Sequence, residues 1–127
     1  MIHGQETSLK YNISISDLNK LETLYQNAKN DIENIYQRDH YPVYPESIEN
    51  FFHYLTMSVW CNDNYQPNQI TNLMKSIQEA SLMDIRSILT AAGRAERFSI
   101  GYWQGILKND ELSVVIERAR ELIKPVS

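Results

Sequence analysis

Apolar residues recur at alternating steps of three and four along most of the chain, which is the stripe that one face of an α-helix buries. Leu18, Leu21, Tyr25, Ala28, Ile32 and Ile35 form the first such run. Ser14 with Asp17 three residues on has the capping-box form, so the spacing predicts helix 1 over about 17–37. Pro42 and Pro45 push the residues before them out of the helical region, leaving 39–45 extended. Ile48, Phe51, Phe52, Leu55 and Val59 place helix 2 at 46–60, and the polar stretch from Cys61 to Pro67 is turn chemistry. Helix 3 follows over 67–79, with Ile70, Leu73, Met74 and Ile77 inward. Ser81 with Asp84 opens helix 4, whose inward face is Ile85, Ile88, Leu89 and Ala92 and whose end falls near Phe98. Ser99 can cap a short helix 5 through Tyr102, Trp103, Ile106 and Leu107. Asn109 takes the left-handed turn, Asp110 caps helix 6, and Leu112, Val115, Ile116, Ala119 and Leu122 or Ile123 carry that helix to Pro125.

No segment keeps a period of two. The expected fold is all-α, a compact bundle of about six helices in a single domain over 1–127. Residues 1–13 form an irregular lead-in and 81–127 a C-terminal helical unit. The expected core holds Leu21, Ile32, Phe51, Leu55, Ile88, Leu89, Ile116 and Leu122.

Composition narrows the function. With 43% hydrophobic and 22% charged residues over 127 positions, the chain is neither disordered nor of low complexity. One cysteine, Cys61, excludes an internal disulfide framework and a multi-cysteine metal site. His3, His40 and His53 have no partners at metal-ligand spacing, and the glycines form no phosphate loop, so neither a metal nor another cofactor is expected. No apolar run reaches the length of a membrane helix, and the first residues lack the features of a leader, which predicts a cytoplasmic protein. The net charge of −4 disfavours a nucleic-acid partner. It is uneven: residues 1–80 hold five Lys and Arg against ten Asp and Glu, while 81–127 hold seven against six. That acidic first part also carries Tyr36, Tyr41, Tyr44, Tyr54 and Tyr65, residue types suited to an interface. Pro42 to Pro45 satisfies a polyproline spacing and reads as a rigid connection.

The richest segment is Thr90-Ala91-Ala92-Gly93-Arg94-Ala95-Glu96-Arg97-Phe98-Ser99-Ile100-Gly101. Arg94 and Arg97 stand three apart, where two guanidiniums on a helix can fork onto one carboxylate or phosphate. Arg86, two turns earlier, can share their face, and Tyr102 or Trp103 can supply a stacking wall. Gly93 inside a helix points to a close helix contact or to a ligand against the backbone. Phe98 should turn inward, Arg94 should be the buried structural arginine, and Arg97 the one that meets an anion or a partner's carboxylate.

Thr90-Ala91, Arg94-Ala95, Arg97-Phe98 and Gly101 resemble the "TA..RA-acid-RF...G" signature of DUF6508, a bacterial family with no assigned activity. The resemblance centres on 85–107, extends from about Phe51 to Ile123, and implies an all-helical unit in which the motif joins two helices. Glu96 stands where that family often has Asp, and Asn109 where a glycine often precedes the last helix. Three function classes follow. The first is a non-catalytic module that binds a protein partner, such as an immunity- or antitoxin-type inhibitor or a mobile-element factor. The second binds a small anion through Arg94, Arg97 and Arg86. The third is an enzyme with Glu96 or His53 as base. Self-association is compatible with the first.

Overall fold

A computed structural model describes residues 13–123. The lead-in with His3, and the end of the last helix at Pro125, lie outside the described residues. Six α-helices and one small hairpin make up this part of the chain, in a mainly helical fold.

α1 spans Ile15–Asn30 and opens on the expected capping box: Ser14 Oγ accepts from the Asp17 amide, and the Asp17 carboxylate accepts from the Ser14 amide. Leu18, Leu21, Tyr25 and Ala28 are its buried stripe. The helix stops seven residues before the expected 37, although Ile32 and Ile35 continue the spacing. Asp31 is the reason: its carboxylate takes hydrogen bonds from the Asn34 side chain and from Ser47 Oγ, a local alternative to the helical ladder. A 3₁₀ turn (Ile32–Asn34) then leads into the hairpin, β1 (Tyr36–Arg38) with β2 (Tyr41–Val43), in the register Tyr36 to Val43 and Arg38 to Tyr41. Asp39 and His40 both have positive φ, 51° and 71°, as a two-residue primed turn requires. Three-residue strands are too short for a period of two to register.

α2 (Glu46–Met57) buries Ile48, Phe51, Phe52 and Leu55, and ends three residues early at Ser58. Trp60, just beyond it, is fully buried and was not among the expected core residues. The expected third helix is broken into α3 (Ile70–Lys75) between 3₁₀ turns at Pro67–Gln69 and Ile77–Glu79, with Ser76 Oγ bonding back to the Asn72 carbonyl at the second break.

α4 (Leu82–Arg94) is the central helix, capped as expected by Ser81 and Asp84. It packs between α2 and α6 (Ser113–Leu122), with α1 lying against both of those helices and α3 along its side. α5 (Tyr102–Lys108) closes one end. Six of the eight expected core residues are buried. Ile32 is half-buried, and Leu122 is 40% exposed because Ala119 and Ile123 take the inward positions of the last turn. The aromatic rings form a continuous line: Tyr25 on Phe51, Phe51 on Phe52, Phe52 stacked on Trp103 at 4.6 Å, and Trp103 on Tyr44. Among the described residues no helix is long and apolar enough to cross a membrane.

Candidate functional site

One face of α4 is a clamp on the loop that follows α2. Arg86, Thr90 and Arg94 are spaced four apart, so they stack along that face. Arg86, 7% exposed, donates to the carbonyls of Val59 (2.9 Å) and Cys61. Thr90 Oγ1 accepts from the Asn62 amide (2.8 Å) and donates to the Arg86 carbonyl, while Ser87 accepts from the Asn62 side chain. Arg94 pairs with Asp63 at 2.6 Å and lies over the Tyr65 ring. Its hydrogen bond holds the Asp63 carboxyl below the usual carboxylate range. The Cys61 thiol lies beside both and is pushed upward by burial and by Asp63.

Arg86 and Arg94 thus share a face as expected, but the buried structural arginine is Arg86. The premature end of α2 frees the carbonyls that Arg86 takes, whereas Arg94 reaches an aspartate that is 79% exposed. The polar run Asn62-Asp63-Asn64 was legible as a turn; nothing in its spacing showed that α4 would hold it.

The second arrangement is an elbow between α4 and α5. The helix ends at Arg94 and tightens to a 3₁₀ turn over Ala95–Arg97. Glu96 then grips the start of α5, with Oε2 accepting from the Gly101 amide at 2.6 Å and Oε1 from the Trp103 amide at 2.9 Å. Gly101, at φ +88°, supplies the left-handed turn that an L side chain rarely adopts. Trp103 is core rather than a ligand wall: it is 8% exposed, stacks on Phe52, and donates from its indole nitrogen to the Ala92 carbonyl. Because Trp103 fills the space below the elbow, Phe98 does not turn inward. It is 80% exposed, with Ile100 at 59% and Tyr102 at 49%. Arg97 beside them is also exposed and makes no ion pair or hydrogen bond among the described residues.

Ala95 and Tyr102, the two flanks of the elbow, line a groove of 260 Å³ between α3, α4 and α5. Ile70, Met74, Ile88 and Ile106 make it apolar, and Glu111 stands at its α6 side. A larger hollow of 430 Å³ lies between α1 and α6. It is polar and crossed by the Arg120–Glu22 ion pair, with Lys29, paired to Asp110, in its lining; it reads as the seam joining those helices.

The proposed bases are otherwise engaged. Glu96 uses both oxygens as a cap, and His53 is exposed with its ring edge toward Trp103. The tyrosines do not gather into one surface. Tyr65 lies under Arg94, and Tyr54 accepts from the Trp60 indole. The Tyr44 hydroxyl is buried without a hydrogen bond of ordinary geometry, and burial, with Glu96 nearby, pushes its pKa upward. Tyr36 and Tyr41 stay exposed on the hairpin. Asn109 has φ −90°, and the left-handed residue is Asp110 at φ 51°. It is held there by the Tyr25 hydroxyl (2.6 Å) and by Lys29.

Neither a curated protein nor a solved structure matches the chain. A family model does match, over residues 14–125, and its range takes in α1 as well as the motif-bearing C-terminal unit. The chain belongs to DUF6508, a family of unknown function.

Proposed function

We propose that the protein is a non-catalytic interaction module that binds a polypeptide partner through the elbow and its groove. One observation carries this reading. Within the motif from Thr90 to Gly101, most of the polar and glycine positions serve the fold: Thr90 and Arg94 hold the loop, Gly93 admits α2, Glu96 grips α5 and Gly101 makes the turn. Arg97 and Phe98 do none of this and face solvent together. Large apolar side chains exposed close together, here Phe98, Ile100 and Tyr102, with only Tyr102 in the lining of the apolar groove, are the usual anchors of a protein interface, and Arg is the favoured cation among them. The matching partner offers an apolar anchor for the groove and a carboxylate for Arg97. An inhibitor- or antitoxin-like role would act through this same face.

The anion-binding alternative has less support, because Arg86 and Arg94 are committed to the loop and Arg97 does not share an acceptor with either. The test compares proteins retained from the native host by the tagged wild type, Phe98→Ser, and Val114→Ser, an exposed apolar residue on α6. A partner, or a second copy of the chain, held by the wild type and Val114→Ser but lost by Phe98→Ser is expected. A retained set that is empty, or indifferent to Phe98→Ser, contradicts the proposal.

A further inference from the structure

Trp60 and Ala80 are both buried, and no side chain between them is. Among the described residues, every hydrogen bond made by 66–79 stays between Asn64 and Ala80, and no ion pair joins this stretch to another element. Apolar contact is what holds it down. Ile70, Leu73, Met74 and Ile77 are half-buried against the core, and Ile70 and Met74 share the groove with Ile88, Ala91, Ala92 and Ala95 of α4. Three alanines offer little apolar area, so the hold is weak. The packing is also open at both ends of the stretch, with the groove of 260 Å³ beside α3 and a hollow of 150 Å³ where Ile77 and Gln78 meet α6.

The two ends are fixed, by contrast. Arg86 takes the Val59 and Cys61 carbonyls and Thr90 the Asn62 amide at one of them. At the other, Arg118 donates to the Ala80 carbonyl at 3.0 Å and Ser81 caps α4. We infer that residues 66–79 are a strap that lifts from α4 as one unit between these anchors and so gates the groove. With the strap down, Ile70, Thr71 and Met74 wall the groove; with it lifted, the row from Ile88 to Ala95 lies open. Elements that admit partners come from the least stable part of a fold, and a stretch with few buried contacts is such a part. The strap is independent of Phe98: host proteins that ignore Phe98 leave it standing, and a strap as firm as α4 leaves the elbow standing.

Native-state hydrogen exchange on the full chain, read amide by amide over a series of low guanidinium concentrations, tests the strap. The amides of α3, Ser76 and Glu79 should exchange through one opening with a shared denaturant slope, about a hundredfold or more faster than the slowest amides of α4. The Asn62 amide, held by Thr90, should stay in the slow set. Protection in α3 equal to that of α4, amides that exchange singly with no slope, or an Asn62 amide that opens with α3 would each overturn it. Thiol labelling tests the gate in chains carrying Cys61→Ser. Ile88→Cys, at a site 3% exposed beside the strap, should react about a hundredfold faster than Val115→Cys, buried on α6. Equal rates would overturn the gate.

Discussion

A β-carbon at position 93 would sit 2.5 Å from the Thr56 methyl and 2.9 Å from the Phe52 carbonyl. Alanine in a helix interior is worth about 1 kcal/mol over glycine, yet Gly93→Ala is expected to lose a net 1 to 3 kcal/mol, roughly the cost of overpacking a tight contact. Denaturant unfolding checks the sign. The sequence limited Gly93 to a helix contact or a ligand, and the crossing of α2 and α4 decides for the contact. The arginines were harder to read, because their roles depend on carbonyls exposed by where another helix ends. Arg86→Met should cost more than about 2 kcal/mol, leaving the Val59 and Cys61 carbonyls without their donor. Arg94→Ala should cost under about 1 kcal/mol, since its aspartate is solvated. Equal costs in the same unfolding assay would return the buried role to Arg94.

At the level of elements, periodicity located the helices and the capping boxes located the starts of α1 and α4. The expected caps Ser99 and Asp110 do not hold, since α5 opens on Gly101 and α6 on Leu112 without a side-chain cap, and the helix ends were where spacing failed. Ile32, Ile35 and Val59 keep the helical spacing, but Asp31 and Ser58 end the helices through contacts that spacing does not encode. The tie between α1 and the turn before α6 was equally invisible. The Tyr25 hydroxyl donates to Asp110 and accepts from the Leu112 amide across more than eighty residues of sequence. Tyr25→Phe should cost about 1–3 kcal/mol by leaving those groups unmet. The same tie sets a pH response. Hydrogen bonds from Tyr25 and Lys29 hold Asp110 below its ordinary pKa, and Arg94 does the same for Asp63. A depressed carboxylate favours the fold above its unfolded pKa, and that contribution is lost as the pH falls through the folded value. Stability should therefore hold down to about pH 5 and decline toward about pH 2, with a shallower decline in Asp110→Asn. Burial raises Tyr25 and Tyr44, so stability should also fall above about pH 10, where the unfolded tyrosines ionise. A flat profile at either end would contradict these assignments.

Among the described residues the bundle around α4 buries most large apolar side chains, and Phe98, with Met57, is one of those it leaves most exposed. The helical bundle was legible because burial imposes its period on the sequence. The elbow was not, because the apolar Phe98 looked like one more core residue until Trp103 was seen to occupy the space beneath it. If Phe98 serves a partner rather than the fold, removing it must leave the isolated chain as stable as before. The deciding measurement is the unfolding free energy of Phe98→Ser against wild type, in solution dilute enough that no copies associate. A difference within about 0.5 kcal/mol, as for an exposed site, is the expected result. A loss of about 2 kcal/mol or more, of the size seen when a core side chain is truncated, would make Phe98 part of the fold's own support and remove the basis for an interaction face at the elbow.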